Sequence, residues 1–220
     1  MKGMIHTRTF TKLALFLMLA YSMLSCKKNL PNEIEIYRND FEQGRQKLKV
    51  FAGNNESKDP LVFKFNNTNI LGPLNHNAVF MQFDSLPPHQ LLQLEFDLYI
   101  HDSWKGNDGL QSDFWAIFLD RERAFITTFS NLPGTQQSYP YVYGFNFFPG
   151  ANSFKNNMPG LCSLKSSANG SSVYQYVWKF KHSNPSIMIS LADLIVETDL
   201  CLKSWSIDNL VVTCIAIENQ

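Results

Sequence analysis

The alternation in residues 90–100 (QLLQLEFDLYI) is the strongest constraint in the chain. Leu92, Leu94, Phe96, Leu98 and Ile100 fall on one side of an extended segment, with Gln93, Glu95, Asp97 and Tyr99 on the other. A period-two pattern of this length predicts a strand with one face in a core. Further apolar runs at 78–83, 114–119, 124–129, 141–148, 173–180, 187–191 and 206–217 are separated by loops rich in Gly, Pro, Asn and Ser. Many short β-rich runs between such breakers predict an all-β antiparallel sandwich. Only residues 190–197 (SLADLIVE) read as a short helix, with Ser190 as its cap.

Composition agrees. Phe occurs 18 times, and aromatic rings suit the pleated surfaces facing each other across a two-sheet core. The chain carries 19 Lys+Arg and 19 Asp+Glu, so no basic excess supports binding to nucleic acid. Neither a GxxxxGK[ST] loop nor a GxGxxG turn opening a helix is present, which leaves nucleotide binding without a motif.

The N-terminus places Lys2, Arg8 and Lys12 ahead of a nearly unbroken apolar run at 13–24. That order is a secretory signal peptide, too short for a membrane span of roughly 20 apolar residues. Met23-Leu24-Ser25-Cys26 resembles a bacterial lipobox. The resemblance implies a signal peptide over 1–25, a lipid on Cys26, a polar tether over 26–35 and a domain over 36–220. It also implies a membrane anchor at the cell envelope, with the domain periplasm-facing or exposed at the surface. Losing three basic residues from 19 leaves 16 against 19 acidic ones, so the working chain is mildly acidic. Outside the cytoplasm Cys162, Cys201 and Cys214 can form at most one internal disulfide. Which pair forms, or whether all three stay buried as thiols, is open at this level.

Two segments bracket the domain: residues 39–44 (NDFEQG) and 205–212 (WSIDNLVV). Together they resemble the opening and closing strands of extracellular jelly-roll sandwiches, among them MAM adhesion domains, carbohydrate-binding modules and concanavalin-like sandwiches. The resemblance implies a jelly roll whose first and last strands lie side by side. It also implies a structural calcium held by Asp40, Glu42 and Asp208, since calcium takes six to eight oxygen ligands. Without a metal, the same residues are turn and strand-end carboxylates. A further stretch, Leu86-Pro87-Pro88-His89 followed by Asp102-Ser103-Trp104-Lys105-Gly106, resembles a turn and strand end of secreted sandwich domains, with Lys105 where that pattern has an Asp. Asp102 is left to accept backbone hydrogen bonds, and Trp104 is either a core plug or an exposed ring.

Residues 138–144 (SYPYVYG) supply the candidate ligand surface. If the segment is extended, Tyr139, Tyr141 and Tyr143 share one face, and tyrosine suits stacking on a sugar ring. With Trp104 these form the expected ligand-binding set, and Asn131, Gln136 and Gln137 are neighbouring amides. No catalytic residue is expected. Glu95 and Asp97 match two positions of a three-carboxylate hydrolase strand, but Tyr99 or Ile100 stands where the acid/base carboxylate belongs. The four histidines beyond the leader, His76, His89, His101 and His182, accompany no Gly-x-Ser-x-Gly elbow. The expected function is a non-catalytic, carbohydrate-binding envelope lipoprotein. The alternative is an adhesion or assembly subunit with an envelope-protein partner, and the third reading is a glycoside hydrolase-like enzyme.

Overall fold

Leu92, Leu94, Phe96, Leu98 and Ile100 all point into one core, so the alternating segment is a strand at the centre of the molecule. The computed structural model describes residues 31–217. One sheet runs β10 (Lys155–Met158), β11 (Ser171–Lys181), β7 (Leu91–Asp102), β13 (Lys203–Ala216), β5 (Thr68–Leu74) and β4 (Val62–Phe65). The other runs β3 (Asn55–Glu56), β2 (Lys49–Ala52), β6 (Asn77–Phe83), β12 (Ile187–Asp193), β8 (Phe114–Leu119) and β9 (Glu122–Thr128). The inner strands, β5-β13-β7-β11 over β6-β12-β8-β9, follow the order of a jelly roll, and the named strand pairs are antiparallel. Among the described residues the only helical turn is the short 3-10 segment Gly109–Gln111.

β1 (Asn32–Asn39) pairs with the second half of β13, from Asn32 opposite Ala216 to Asn39 opposite Leu210. First and last strands are therefore neighbours, as the bracketing segments imply. β1 starts at Asn32, inside the stretch read as a tether. The leader and Cys26 lie outside the described residues.

The core between the sheets is aromatic. Trp115 packs edge-on against Trp205 at 5.9 Å, and Phe96 stacks on Tyr176 at 4.9 Å. A smaller cluster of Phe65, Ile70, Tyr99, Met158 and Val173 forms on the outer face of the first sheet, where Tyr99 would otherwise meet water. His101 lies beside it, edge-on to Phe65, with one ring nitrogen on Ser171 Oγ (2.9 Å) and the other on Ser206 Oγ (3.0 Å). Complete burial holds its pKa down at about 3, so the ring stays neutral.

The loop over that cluster is tied in two ways. Asp102, fully buried, accepts backbone N–H groups from Leu161 (3.2 Å), Cys162 (3.1 Å) and Leu164 (2.9 Å). Cys162 is bonded to Cys201, and Cys214 is a buried free thiol. The backbone-acceptor role expected of Asp102 is present, but its partners lie about sixty residues along the chain.

Two local expectations fail. Residues 190–193 continue β12 instead of starting a helix, because β12 pairs with both β6 and β8 and its backbone is bonded on both sides. Residues 141–148 form no strand. They belong to the long β9–β10 connection, which is held by isolated bridges and side-chain hydrogen bonds.

Candidate functional site

The β9–β10 connection leaves the edge of the second sheet and folds back on it. Tyr143 N donates to Ile126 O (2.9 Å), and Thr127 Oγ1 donates to Tyr141 O (2.7 Å). Gln137 and Phe147 exchange backbone bonds of 2.9 and 2.8 Å. Asn107 Nδ2 donates to Phe145 O (2.7 Å), and Ser138 Oγ donates to the same oxygen (2.9 Å). Gly106 permits the close approach beneath: its φ is +69°, and a Cβ there would stand 2.0 Å from Gln136 O.

This scaffold fixes a group of rings at the surface. Tyr141 and Phe145 are 4.9 Å apart with a 34° tilt, Tyr141 and Phe147 are 5.8 Å apart at 28°, and Phe145 and Phe147 are 6.5 Å apart at 16°. The three planes are thus close to parallel. Tyr141 is 54% exposed and Phe145 48%. Tyr143, 43% exposed, leans edge-on against Phe114 of β8 at 4.7 Å. Near-parallel exposed rings on a bonded loop can receive the C–H face of a pyranose at low ordering cost.

The expected ligand set divides. Tyr141 and Tyr143 are at the surface. Tyr139 is only 8% exposed and packs between Phe129 (4.9 Å) and Tyr174 (5.0 Å). A one-face arrangement needs an extended backbone, and this segment turns instead. Trp104 is fully buried, with Nε1 donating to Ser204 O (2.9 Å), so it is the core plug. Two of the neighbouring amides are structural. Asn131 Nδ2 donates to the carbonyls of Ile100 and Asp102, both at 3.0 Å. Gln137 Oε1 accepts from Ser130 N, Gly150 N and Tyr174 Oη, all at 3.1 Å. Gln136 remains exposed. Phe145 and Phe147 were absent from the expected set. Their signal in the sequence is the aromatic density of residues 145–148, which taken locally fits a strand.

At the β1–β13 junction, Glu42 and Asp208 both accept from Thr68 Oγ1 at 3.2 Å. Glu42 is further engaged by Asn69 N (2.9 Å) and Asn69 Nδ2 (2.7 Å), while Asp40 Oδ1 accepts Glu42 N (3.2 Å). Burial, with the charges of Asp97 and Asp40 adding to it, pushes the Asp208 carboxyl up to about 6. Asp40, Glu42 and Asp208 thus occupy one region, but they are not assembled as a metal cage. Among the described residues no three His, Cys, Asp or Glu side chains group as metal ligands.

Asp97 stands opposite Asp208 across β7 and β13, and its Oδ2 accepts from Asn209 Nδ2 (2.8 Å). This pair lies on the outer face of the first sheet, and Asp208 is almost fully buried.

No family model matches the chain, and no curated protein matches it in sequence. Among solved structures it is similar to a family 35 carbohydrate binding module from Clostridium thermocellum, with 7% identity, 82% of this chain, 97% of that one and a TM-score of 0.35. It is also similar to part of a cycloisomaltooligosaccharide glucanotransferase from Paenibacillus sp., with 12% identity over 84% of this chain and 18% of that one, at a TM-score of 0.33. A third, BtGH115A, a 4-O-methyl-α-glucuronidase, gives 7% identity over 81% of this chain and 17% of that one, also at 0.33. Overlap at this level is what β-sandwiches share in general, and it says nothing about a ligand.

Proposed function

We propose that this chain is a non-catalytic glycan-binding module, held at the cell envelope by a lipid on Cys26. The observation that carries the reading is the near-parallel group of the exposed Tyr141 and Phe145 with the half-buried Phe147. Sugar rings present C–H faces to aromatic planes and hydroxyls to the phenol and to backbone groups around them. A loop already fixed by its own hydrogen bonds loses little freedom when it binds. Affinity electrophoresis against a panel of soluble neutral polysaccharides tests the proposal. Slowed migration with at least one is expected, and unaltered migration with all of them rejects it.

Protein adhesion is the second reading. It is favoured by Phe148 and Phe154, each 70% exposed, which are large apolar side chains for solvent to meet. Cross-linking on intact cells should then trap one recurrent envelope partner.

A further inference from the structure

A groove of about 680 Å³ crosses the outer face of the second sheet, from β2 over β6 and β12 to the turn between β8 and β9. Its floor is Phe51, Phe80 and Met188, with the two Phe rings edge-on at 5.1 Å. Lys47, Lys49 and Arg121 line it, and no carboxylate does. Asn54 and Gln82 add amides at the rim. On a chain whose basic and acidic residues balance at 19 each, three cations around an apolar floor are a local concentration of positive charge. The neighbouring carboxylates stand outside the lining, oriented by hydrogen bonds but still charged. Asp120 Oδ1 accepts Met188 N (2.9 Å), and Asp84 Oδ1 accepts Gln82 Nε2 (3.1 Å). Glu56 stands 3.8 Å from Lys49 in an exposed pair, which water screens.

We propose that this groove is a second binding site, for an acidic saccharide carrying a ring carboxylate. The Phe51 and Phe80 rings supply the surface for a pyranose face. Arg121 and Lys49 supply charge-assisted hydrogen bonds to the carboxylate, with the guanidinium able to engage it in bidentate fashion. The volume falls within the range of small-molecule pockets, which favours a few sugar units over a flat membrane surface. The site is independent of the Tyr141 loop. None of residues 138–148 lines the groove, and that loop meets β9 at Ile126 and Thr127, five and six residues along from Arg121. Failure of one site therefore leaves the other to be read by itself.

The test uses the full chain with three probes: an oligogalacturonate, its carboxyl-reduced neutral form, and phosphatidylglycerol vesicles. Isothermal titration should show binding of the oligogalacturonate that weakens with added salt and is lost in the reduced form. Lys49→Gln and Arg121→Asn should each weaken it by about tenfold, the equivalent of one charge-assisted contact. Tyr141→Ala should leave it unchanged, and all variants should melt with the parent. No binding of the acidic oligosaccharide overturns the proposal, as do equal binding of both oligosaccharides, indifference to the two substitutions, and vesicle binding in place of saccharide binding.

Discussion

Tyr139 is buried edge-on against Tyr174 at 5.0 Å, although it sits two residues from the exposed Tyr141. The segment between them is where the sandwich core ends and its ligand surface begins. Tyr139→Ala should therefore cost about 3–4 kcal/mol, as truncation of a large buried ring does. Tyr141→Ala should stay within about 0.5 kcal/mol of the parent. Chemical denaturation of both variants measures the difference, and equal losses contradict the assignment of one ring to the core and one to the surface.

The loop over the outer satellite cluster is held by Asp102 and by the Cys162–Cys201 bond. Asp102→Ala leaves the backbone donors of the half-buried Leu161 and Leu164 and of the exposed Cys162 without their acceptor, which should cost about 2–3 kcal/mol. The disulfide spans 39 residues of sequence, and its reduction should cost about 4 kcal/mol in the chain-entropy account. Both act on one loop, so the combined loss should differ from the sum of the separate losses. Hydrogen exchange at Leu161, Cys162 and Leu164 should accelerate in either case while the β7 amides stay protected.

Much of this architecture was legible because the central strands alternate or run apolar over six residues or more. β8 coincides with the run at 114–119, and β7 with the alternation at 90–100, give or take its ends. β5 was illegible because Gly72-Pro73 reads as a breaker. In the fold, that glycine is where β5 crosses β13 closely: a Cβ there would meet Ser206 Oγ at 2.2 Å, at a φ of +149°. β2 and β4 are four residues each, too short for a period to register. In the ligand loop, aromatic content was visible but direction was not. Gln137 and Asn107 bend the backbone through contacts distant in sequence, and local alternation carries no trace of them.

Asp208 sets a pH dependence. Its folded carboxyl is raised to about 6 from an ordinary value of 3.8, so the folded state holds the proton more tightly than the unfolded chain. The associated stability is complete below about pH 3.8 and is lost as pH rises through about 6. Melting temperature should accordingly carry a falling component between about pH 4 and pH 6.5. Asp208→Asn should flatten it, and an identical profile in that variant contradicts the assignment.

The same carboxylates bear on calcium. Asp97 and Asp40 repel the Asp208 charge, and Glu42 shares the Thr68 hydroxyl with it. Because these carboxylates are not grouped as metal ligands, a divalent ion would have to draw their oxygens together, offsetting that repulsion and binding the folded state alone. We propose that calcium does so, in which case it raises the melting temperature at pH 7 and a chelator returns it to the lower value. Superimposable melts with and without chelator reject the calcium implied by the bracketing segments.

The most direct measurement is calorimetric titration of a polysaccharide that retards the protein into the parent and into Tyr141→Ala/Phe145→Ala. The account predicts a fold-intact variant whose affinity drops by about tenfold or more, the scale of losing two stacking surfaces. Unchanged affinity in a variant with the parent's melting temperature would place glycan recognition away from this loop and contradict the account.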